Sequence, residues 1–368
     1  MKYIITSYIV LALCSFAVAK DAVTENSTFA DLKTGAEKGD ASAQYWIGIK
    51  YEKGEGGADK NYAKAFEYYK KSADQGYAPA QDSLGSMYNN GRGVAIDMKQ
   101  AVNWYQKAAE QGYAHAQFSL GCIYLGIGGE GISEDPKQAA FWFRKAAEQG
   151  HVVAQTNLGG MYASGAGIAK DPKQAVYWYR KAAEHGDAFG QVNLGNMYAK
   201  GEGVTKNMKE AAYWYQKAAG QGDAFAQYNL GIMYANGTSG VKDIKQAVYW
   251  YQKAAEQGLA AAQFNLGYMY AEGIGILKDE VEGLAWYYLA RSNGEDKILS
   301  QNISILEARL GQRGAFAAQQ RARELARKIN SRSSNTDSQN PNAAANGAAS
   351  LEVLGTAVVL SFPQTGLS

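Results

Sequence analysis

Cysteine, histidine and proline are scarce in this chain. Its 368 residues include two cysteines, three histidines and five prolines. Cys14 falls in an apolar leader described below, so Cys122 would remain alone in the mature chain, where it could form no intramolecular disulfide. The sequence also lacks the His-x-x-x-His and Cys-x-x-Cys spacings that commonly hold a metal ion. It therefore predicts neither a disulfide framework nor a metal site.

Signatures of catalysis are missing as well. A nucleophile needs a base within hydrogen-bond reach, yet His115, His151 and His185 occupy no position that recurs along the chain. Gly-x-Gly segments at 91–93, 165–167 and 201–203 lie between predicted helices, whereas a phosphate-binding loop follows a strand. We therefore expect no catalytic residue, no cofactor and no enzyme activity.

An excess of either charge is also absent. The formal net charge is +2, and loss of Lys2 with the leader leaves 36 basic against 35 acidic residues. This balance gives no general electrostatic surface for nucleic acid, so no nucleic-acid partner is expected. Residues 313–332 are locally basic, with six cationic side chains against Glu324. A solvated helix face explains this run, and contact with an anionic partner is the alternative.

What the chain does contain is a repeat of about 36 residues. A glutamine opens each of seven copies, at Gln44, Gln81, Gln117, Gln155, Gln191, Gln227 and Gln263. Residues of the sixth copy show a helical period: Ala226, Leu230 and Met233 share one face of a first helix. A glycine recurs near that face, as at Gly231, and costs roughly 1 kcal/mol in a helix, which close helix packing would offset.

The ends of the second helices are marked in the same regular way. An Asp or Asn precedes each one and predicts a helix N-cap, at Asn61, Asp97, Asp135, Asp171, Asn207, Asp243 and Asp279. Pro136 and Pro172 follow at the first helical position. Glycines such as Gly222 and Gly258 predict a left-handed end. These signals predict an all-α chain of seven helix pairs.

The repeated residues resemble the Sel-one-like repeat family, a relative of the tetratricopeptide repeat. The matching pattern is Ala-x-Ala-Gln-x-x-Leu-Gly-x-Met-Tyr, a Gly-x-Gly turn, and Lys-x-Ala-x-x-Trp-Tyr-x-Lys-Ala-Ala-Glu-Gln-Gly, and it covers residues 41–294. The resemblance implies a right-handed α/α superhelical solenoid and an adaptor role in protein complexes. It further implies export, as bacterial members are often linked to cell-envelope, host-contact or virulence functions.

The resemblance leaves two other functions open. One is a module that binds cell-wall peptidoglycan. The other is a hydrolase acting on β-lactams or cell-wall material, as proposed for the cysteine-rich branch of the family. This chain lacks the paired cysteines of that branch, which weakens the second alternative.

The two ends of the chain differ from the repeats. Residues 1–19 have the features of a secretory signal, with Lys2, an apolar stretch and a cleavage site near Ala19-Lys20. We therefore expect a periplasmic or secreted protein, with no transmembrane segment in the mature chain. Residues 20–40 and 295–330 are predicted to form capping helices. Residues 331–368 are predicted to be a disordered tail with a short apolar segment at 351–362.

The predicted binding surface is a stripe along the first helices. Positions on this stripe differ between copies, and by resemblance to related repeats they line a concave surface that binds a protein or peptide. The candidate residues are Tyr45, Phe118, Tyr228, Ile232, Phe264 and Tyr268. The alternative is that these side chains pack between neighbouring copies. A monomer is expected.

Overall fold

The computed structural model describes residues 27–127, 131–238, 240, 242–292 and 297–337. Within these ranges it contains 16 α-helices and no strand. The predicted leader and the part of the predicted tail beyond residue 337, with its apolar segment at 351–362, lie outside the described residues, so both remain predictions. Residues 331–337, predicted to be disordered, instead continue the last helix, so this part of the tail prediction is wrong. The chain divides into two compact units, Met1–Gln149 and Gly150–Ser368.

The first unit consists of one short helix followed by three helix pairs. Its helices are α1 (Phe29–Glu37), α2 (Ala41–Lys53), α3 (Tyr62–Asp74), α4 (Ala78–Asn90), α5 (Met98–Glu110), α6 (Ala114–Tyr124) and α7 (Pro136–Glu148). Leu32 and Ala36 of α1 are buried in one cluster with Ala43 and Ile47 of α2. The short helix thus covers the apolar face of the first pair, as expected of a capping element.

The second unit contains four helix pairs and a long closing helix. They are α8 (Val152–Ser164), α9 (Pro172–Glu184), α10 (Ala188–Lys200), α11 (Met208–Gly220), α12 (Ala224–Asn236), α13 (Ile244–Ala255), α14 (Ala260–Glu272), α15 (Glu280–Arg291) and α16 (Lys297–Asp337). Gly311 interrupts α16 with φ 62° and ψ −176°, a backbone conformation that essentially only glycine adopts. Residues on both sides of this break pack against α15, because Leu299 and Ala318 share a buried cluster with Tyr287.

The predicted helix boundaries are confirmed. At all seven predicted N-caps of the second helices, a side-chain oxygen accepts a hydrogen bond from a backbone N–H of the first turn. Pro136 and Pro172 are the first residues of α7 and α9. Gly222 and Gly258 follow the second helices with φ of 97° and 90°, in the left-handed region. Local sequence therefore determines where these helices begin and end.

The recurring glycine of the first helix lies directly beneath an aromatic ring of the second helix. A Cβ atom at Gly231 would stand 2.5 Å from Cδ1 of Tyr251, a side chain that is 2% exposed. The same contact recurs in every copy, between Gly48 and Tyr69, Gly85 and Tyr105, Gly121 and Phe143, Gly159 and Tyr179, Gly195 and Tyr215, and Gly267 and Tyr287. Close packing thus offsets the low helix propensity of glycine, as the sequence predicted.

The glutamine that opens each copy is buried, and in five copies it donates a hydrogen bond to the end of the preceding helix pair. In the sixth copy, Gln227 Nε2 donates to the carbonyl oxygen of Ala219, at 3.3 Å. Its Oε1 atom accepts a hydrogen bond from Nε2 of Gln257, at 2.8 Å. Gln227 is 5% exposed, so each of these bonds satisfies a group that has lost its water. Sequence analysis used the glutamine only to find the repeat.

Candidate functional site

The structure places one of the six predicted binding residues in the core. Tyr228 is 8% exposed, and its ring centroid lies 5.9 Å from that of Tyr251 in the same copy. The expectation that Tyr228 faces away from the core is therefore wrong. The side of the first helix that carries Tyr228 packs on its own second helix, a contact that the variation of this position between copies does not reveal.

The other five predicted residues are partly buried. Three of their rings tilt against the core ring of the same copy, with centroids 5.5–5.9 Å apart: Tyr45 against Tyr69, Phe118 against Phe143, and Phe264 against Tyr287. Ile232 and Tyr268 pack at the borders of buried clusters. These side chains contribute to packing and keep part of their surface accessible. We call the five residues the first-helix stripe, and their role in partner binding stays a prediction.

Polar groups near this stripe are paired within the chain. His115 Nδ1 lies 2.9 Å from Oδ2 of Asp82, whose side chain is 10% exposed. The hydrogen bond to Asp82 raises the pKa of His115 above its ordinary value of 6.5. Tyr215 donates a hydrogen bond to Oδ1 of Asn196, at 2.6 Å. Both side chains are therefore hydrogen-bonded within the chain.

A second surface, which sequence analysis did not single out, follows the second helices. Tyr177, Tyr213 and Tyr249 of the second unit are 48%, 48% and 49% exposed. They stand 36 residues apart, and each ring meets the following tryptophan edge-on, at 4.9–5.0 Å between centroids. In the first unit, Phe141 is 49% exposed and contacts Trp142 in the same way. A large aromatic side chain is thus half exposed in four consecutive copies.

Lysines stand one helical turn before and after each of these tyrosines. The ammonium groups of Lys181, Lys217 and Lys253 lie 5.2, 4.8 and 5.7 Å from the centroids of the tyrosine rings that precede them. These distances fit a cation–π contact. The lysines on the other side of the rings are Lys173, Lys209 and Lys245, and all three are exposed. We call Tyr177, Tyr213 and Tyr249 with these six lysines the aromatic–lysine ladder.

A cleft opens between two of the ladder's helices. Its volume is about 470 Å³, and its lining comes from α9, α10, α11 and the segment before α11. The lining residues are Arg180, Glu184, Tyr198, Val204, Thr205, Lys206, Asn207, Glu210 and Trp214. Arg180 donates a hydrogen bond to the hydroxyl of Tyr198, at 2.7 Å. Because Trp214 contacts Tyr213, the cleft borders the ladder.

Groups with catalytic potential are few in the part of the chain that the structure describes. Cys122 is 9% exposed, and burial raises the pKa of its thiol to about 12. The thiol therefore stays protonated at neutral pH and is a poor nucleophile. Within the described ranges, no group of three or more His, Cys, Asp or Glu side chains is arranged to hold a metal ion. The same residues include no helix with the length and apolar character needed to cross a membrane.

Helix pairs repeated in tandem define the class of protein: an all-α solenoid built from helix-pair repeats. The Sel1 repeat family matches the chain in seven consecutive segments, at residues 41–77, 78–113, 114–151, 152–187, 188–223, 224–259 and 260–295. The chain therefore belongs to the Sel1 repeat family. Both the predicted family and the predicted fold class are confirmed.

Two solved structures support this assignment. A protective antigen present in uropathogenic Escherichia coli strains, which has an SLR fold, is 36% identical with a TM-score of 0.71. That alignment covers 82% of this chain and 64% of the antigen, so the chain spans less than two thirds of the antigen's length. A Sel1 repeat protein from Oxalobacter formigenes is 33% identical with a TM-score of 0.62, over 82% of this chain and 86% of that protein. No curated protein matches the chain.

Proposed function

We propose that this chain is an exported, non-enzymatic scaffold that binds a protein or peptide along its first-helix stripe. Sel1 repeat proteins generally act as scaffolds for protein interaction. The observation that carries the proposal is the contrast between uniform and variable positions. The core glycine and the opening glutamine are the same in all seven copies, whereas the stripe changes from copy to copy.

The variable positions can change because the fold does not depend on their identity. Ile232 and Tyr268 occupy the position at which earlier copies carry Ser86 and Asn196. All four side chains are partly buried in similar helices. A position that accepts serine, asparagine, isoleucine and tyrosine can be adapted to a partner without disrupting the packing of consecutive helix pairs. The last two copies supply the apolar surface that binding energy at protein interfaces commonly requires.

Export and a role at the cell envelope or at host contact are part of the same proposal. The signal features of residues 1–19 support export. The similar antigen of uropathogenic Escherichia coli is protective, which supports exposure of that protein to a host. Cell fractionation and sequencing of the mature N-terminus test this part. A chain that begins at Lys20 in the periplasm or medium is expected, and retention of Met1 in the cytoplasm would contradict export.

Binding is tested with substitutions taken from the chain's own copies. The variant Ile232→Asn, Phe264→Thr and Tyr268→Asn introduces residues that stand at the equivalent positions of other copies. The mature protein and this variant serve as bait in envelope and host-cell extracts, with cross-linking and mass spectrometry. We expect a specific partner that is captured by the native protein and lost with the folded variant.

A control separates binding from folding. Because Tyr228 is buried, Tyr228→Asn should reduce thermal stability strongly, whereas the stripe variant loses only partly buried contacts and should keep native helicity and a folded state at the temperature of the binding assay. Unfolding of the stripe variant would show that the stripe serves packing alone. Equal capture by native and variant proteins would also contradict the proposal. Purified protein should not turn over a chromogenic β-lactam.

A further inference from the structure

We propose that the aromatic–lysine ladder on α9, α11 and α13 is a second binding surface, which takes an anionic polysaccharide. The proposal is independent of the first-helix stripe. It rests on three half-exposed tyrosines at a fixed spacing, the lysines on both sides of each ring, and the cleft between two of the helices.

The exposed rings are not needed to build the helix pair. In the first two copies, Glu67 and Asn103 occupy the equivalent position, and both are exposed. Trp104, next to Asn103, is still only 6% exposed. The tryptophan is therefore buried without an aromatic neighbour before it. A half-exposed ring in three consecutive copies adds apolar surface in water without a structural requirement, which is typical of a binding surface.

The seventh copy shows what this position becomes when the fold covers it. The equivalent residue is Ala285, which is fully buried in one cluster with Ala322 and Leu325 of α16. Where a helix packs on this face, the position carries a small side chain. The tyrosines of the fourth to sixth copies therefore belong to a face that the described chain leaves uncovered.

The chemistry of the ladder fits a sugar chain that carries negative charge. A tyrosine ring presents a flat apolar face with a negative quadrupole, which suits the weakly positive C–H groups on one face of a pyranose ring. Lysines one turn before and after the ring can pair with a carboxylate, sulfate or phosphate on the same sugar or its neighbour. Each step of the ladder therefore offers one stacking surface between two cations.

The regular spacing favours a repeating ligand over a peptide. Identical side chains recur every 36 residues, at Tyr177, Tyr213 and Tyr249, so that each copy presents the same chemical features. A polymer of identical units can bind all three, whereas a peptide of mixed sequence needs different contacts at each step. The cleft between α9 and α11 offers further room, but Glu184 and Glu210 offset the charges of Arg180 and Lys206 there. The ladder lysines therefore supply the positive charge.

Two other anionic partners fit less well. Duplex nucleic acid carries one charge per about 1.7 Å of its axis and requires a strong excess of cations, whereas this chain is almost neutral. A membrane surface favours a continuous apolar face along a helix, whereas each ladder ring stands among polar side chains, which include Glu210 beside Tyr213. Both partners are included in the test as competing outcomes.

The test uses polygalacturonate as an anionic probe and its methyl ester as the neutral control. The full mature chain is compared with the triple variant Tyr177→Asn, Tyr213→Asn and Tyr249→Asn, in which asparagine is the residue that the second copy carries at this position. The matched control is the triple variant to phenylalanine, which the third copy carries as Phe141. Circular dichroism and thermal melting confirm that all three proteins are folded.

We expect the native chain to bind polygalacturonate more tightly than its ester, with affinity that falls as salt rises. The asparagine variant should lose about tenfold or more in affinity, whereas the phenylalanine variant should stay within about threefold, because phenylalanine keeps the ring face. Equal affinity of the native and asparagine proteins would overturn the proposal, as would binding of polyglutamate as tight as that of polygalacturonate.

Competing partners and the first-helix stripe are tested in the same series. The native chain could instead bind duplex DNA or phosphatidylglycerol vesicles more tightly than polygalacturonate and lose that binding in the asparagine variant. This result would assign the ladder to that partner and overturn the proposal. The stripe variant Ile232→Asn, Phe264→Thr and Tyr268→Asn should bind polygalacturonate as the native chain does. Failure of the scaffold proposal would thus leave the binding of polygalacturonate unchanged. Failure to bind polygalacturonate would likewise leave the scaffold proposal untouched.

Discussion

The contact between Gly231 and Tyr251 gives a sharp test of how the helix pair is stabilised. The perturbation is Gly231→Ala, and the matched control is Gly220→Ala. Both glycines lie in helices, but a Cβ atom at Gly220 would meet nothing within 4 Å, whereas one at Gly231 would meet the Tyr251 ring at 2.5–3.1 Å. Helix propensity favours alanine by up to about 1 kcal/mol at either site. Gly220 is the last residue of α11 whereas Gly231 is interior to α12, so the propensity gain is larger at Gly231 and a loss of stability there must come from packing.

The structure indicates how much each substitution should change the free energy of unfolding. Ordinary carbon–carbon contacts lie at about 3.5–4.0 Å, so the new methyl group would have to displace the Tyr251 ring by about 1 Å. Overpacking of this kind costs about 1–3 kcal/mol in a well-packed core. After a gain of about 1 kcal/mol in propensity, Gly231→Ala should destabilise the chain by up to about 2 kcal/mol. Gly220→Ala should stabilise it by about 0.5–1 kcal/mol.

The assay is urea unfolding followed by circular dichroism. Repeat arrays can unfold in more than one step. The urea midpoints of two proteins are therefore compared only if their free energies of unfolding depend on urea concentration with the same slope. A double-mutant cycle isolates the contact: with Tyr251→Ala, the second substitution Gly231→Ala should no longer destabilise, giving a coupling of about 1–3 kcal/mol. If Gly231→Ala proved as stable as Gly220→Ala, the close contact would not explain why glycine recurs at this position.

Three further predictions concern the polar link, the histidine and the cysteine. Gln227→Leu should lower the free energy of unfolding by about 1–2 kcal/mol, because Nε2 of Gln257 loses an acceptor and the carbonyl of Ala219 loses one of its donors, and an unchanged urea midpoint would argue against the link. Asp82 raises the pKa of His115, so their pairing stabilises the chain below pH about 6.5 and is lost as the pH rises through the folded pKa. His115→Gln should therefore lower the melting temperature more at pH 6 than at pH 9, and an equal loss would contradict the pairing. Burial and a pKa of about 12 should protect Cys122 from Ellman's reagent at pH 8 until urea unfolds the chain, and rapid reaction in buffer would contradict that.

Most of the fold could be predicted because its signals are local and repeat. An Asp or Asn before a helix acts through hydrogen bonds within one turn, so a cap such as Asp243 can be recognised without knowledge of the tertiary structure. Comparison of the copies within the chain then showed which positions are constant. The core glycine was recognised in this way, and the structure identifies Tyr251 as the residue that it contacts.

The binding surfaces could not be predicted equally well, because they depend on contacts between helices. Tyr228 was predicted to lie on the binding surface because its position varies between copies, although its own second helix covers it. The role of Gln227 also requires knowledge that Gln257 lies opposite it. A sequence signal for the aromatic–lysine ladder was present, since tyrosine recurs before the tryptophan in three successive copies. Its exposure became clear only from the packing of the second helices.

The two surfaces of the repeat suit different kinds of ligand because their residues vary in different ways. Along the first-helix stripe, residues change between copies, from Asn196 to Ile232 and Tyr268, so that each copy offers a different contact. Along the ladder, the same ring returns in each of three copies and gives way to Ala285 where α16 covers the face. A surface whose residues differ between copies can be specific for one polypeptide. A surface whose residues are the same in each copy can bind only a ligand with a repeating structure. Under the two proposals, a single chain holds a specific protein on its first helices and a repetitive polymer on its second helices, and each kind of binding can be removed separately by mutation.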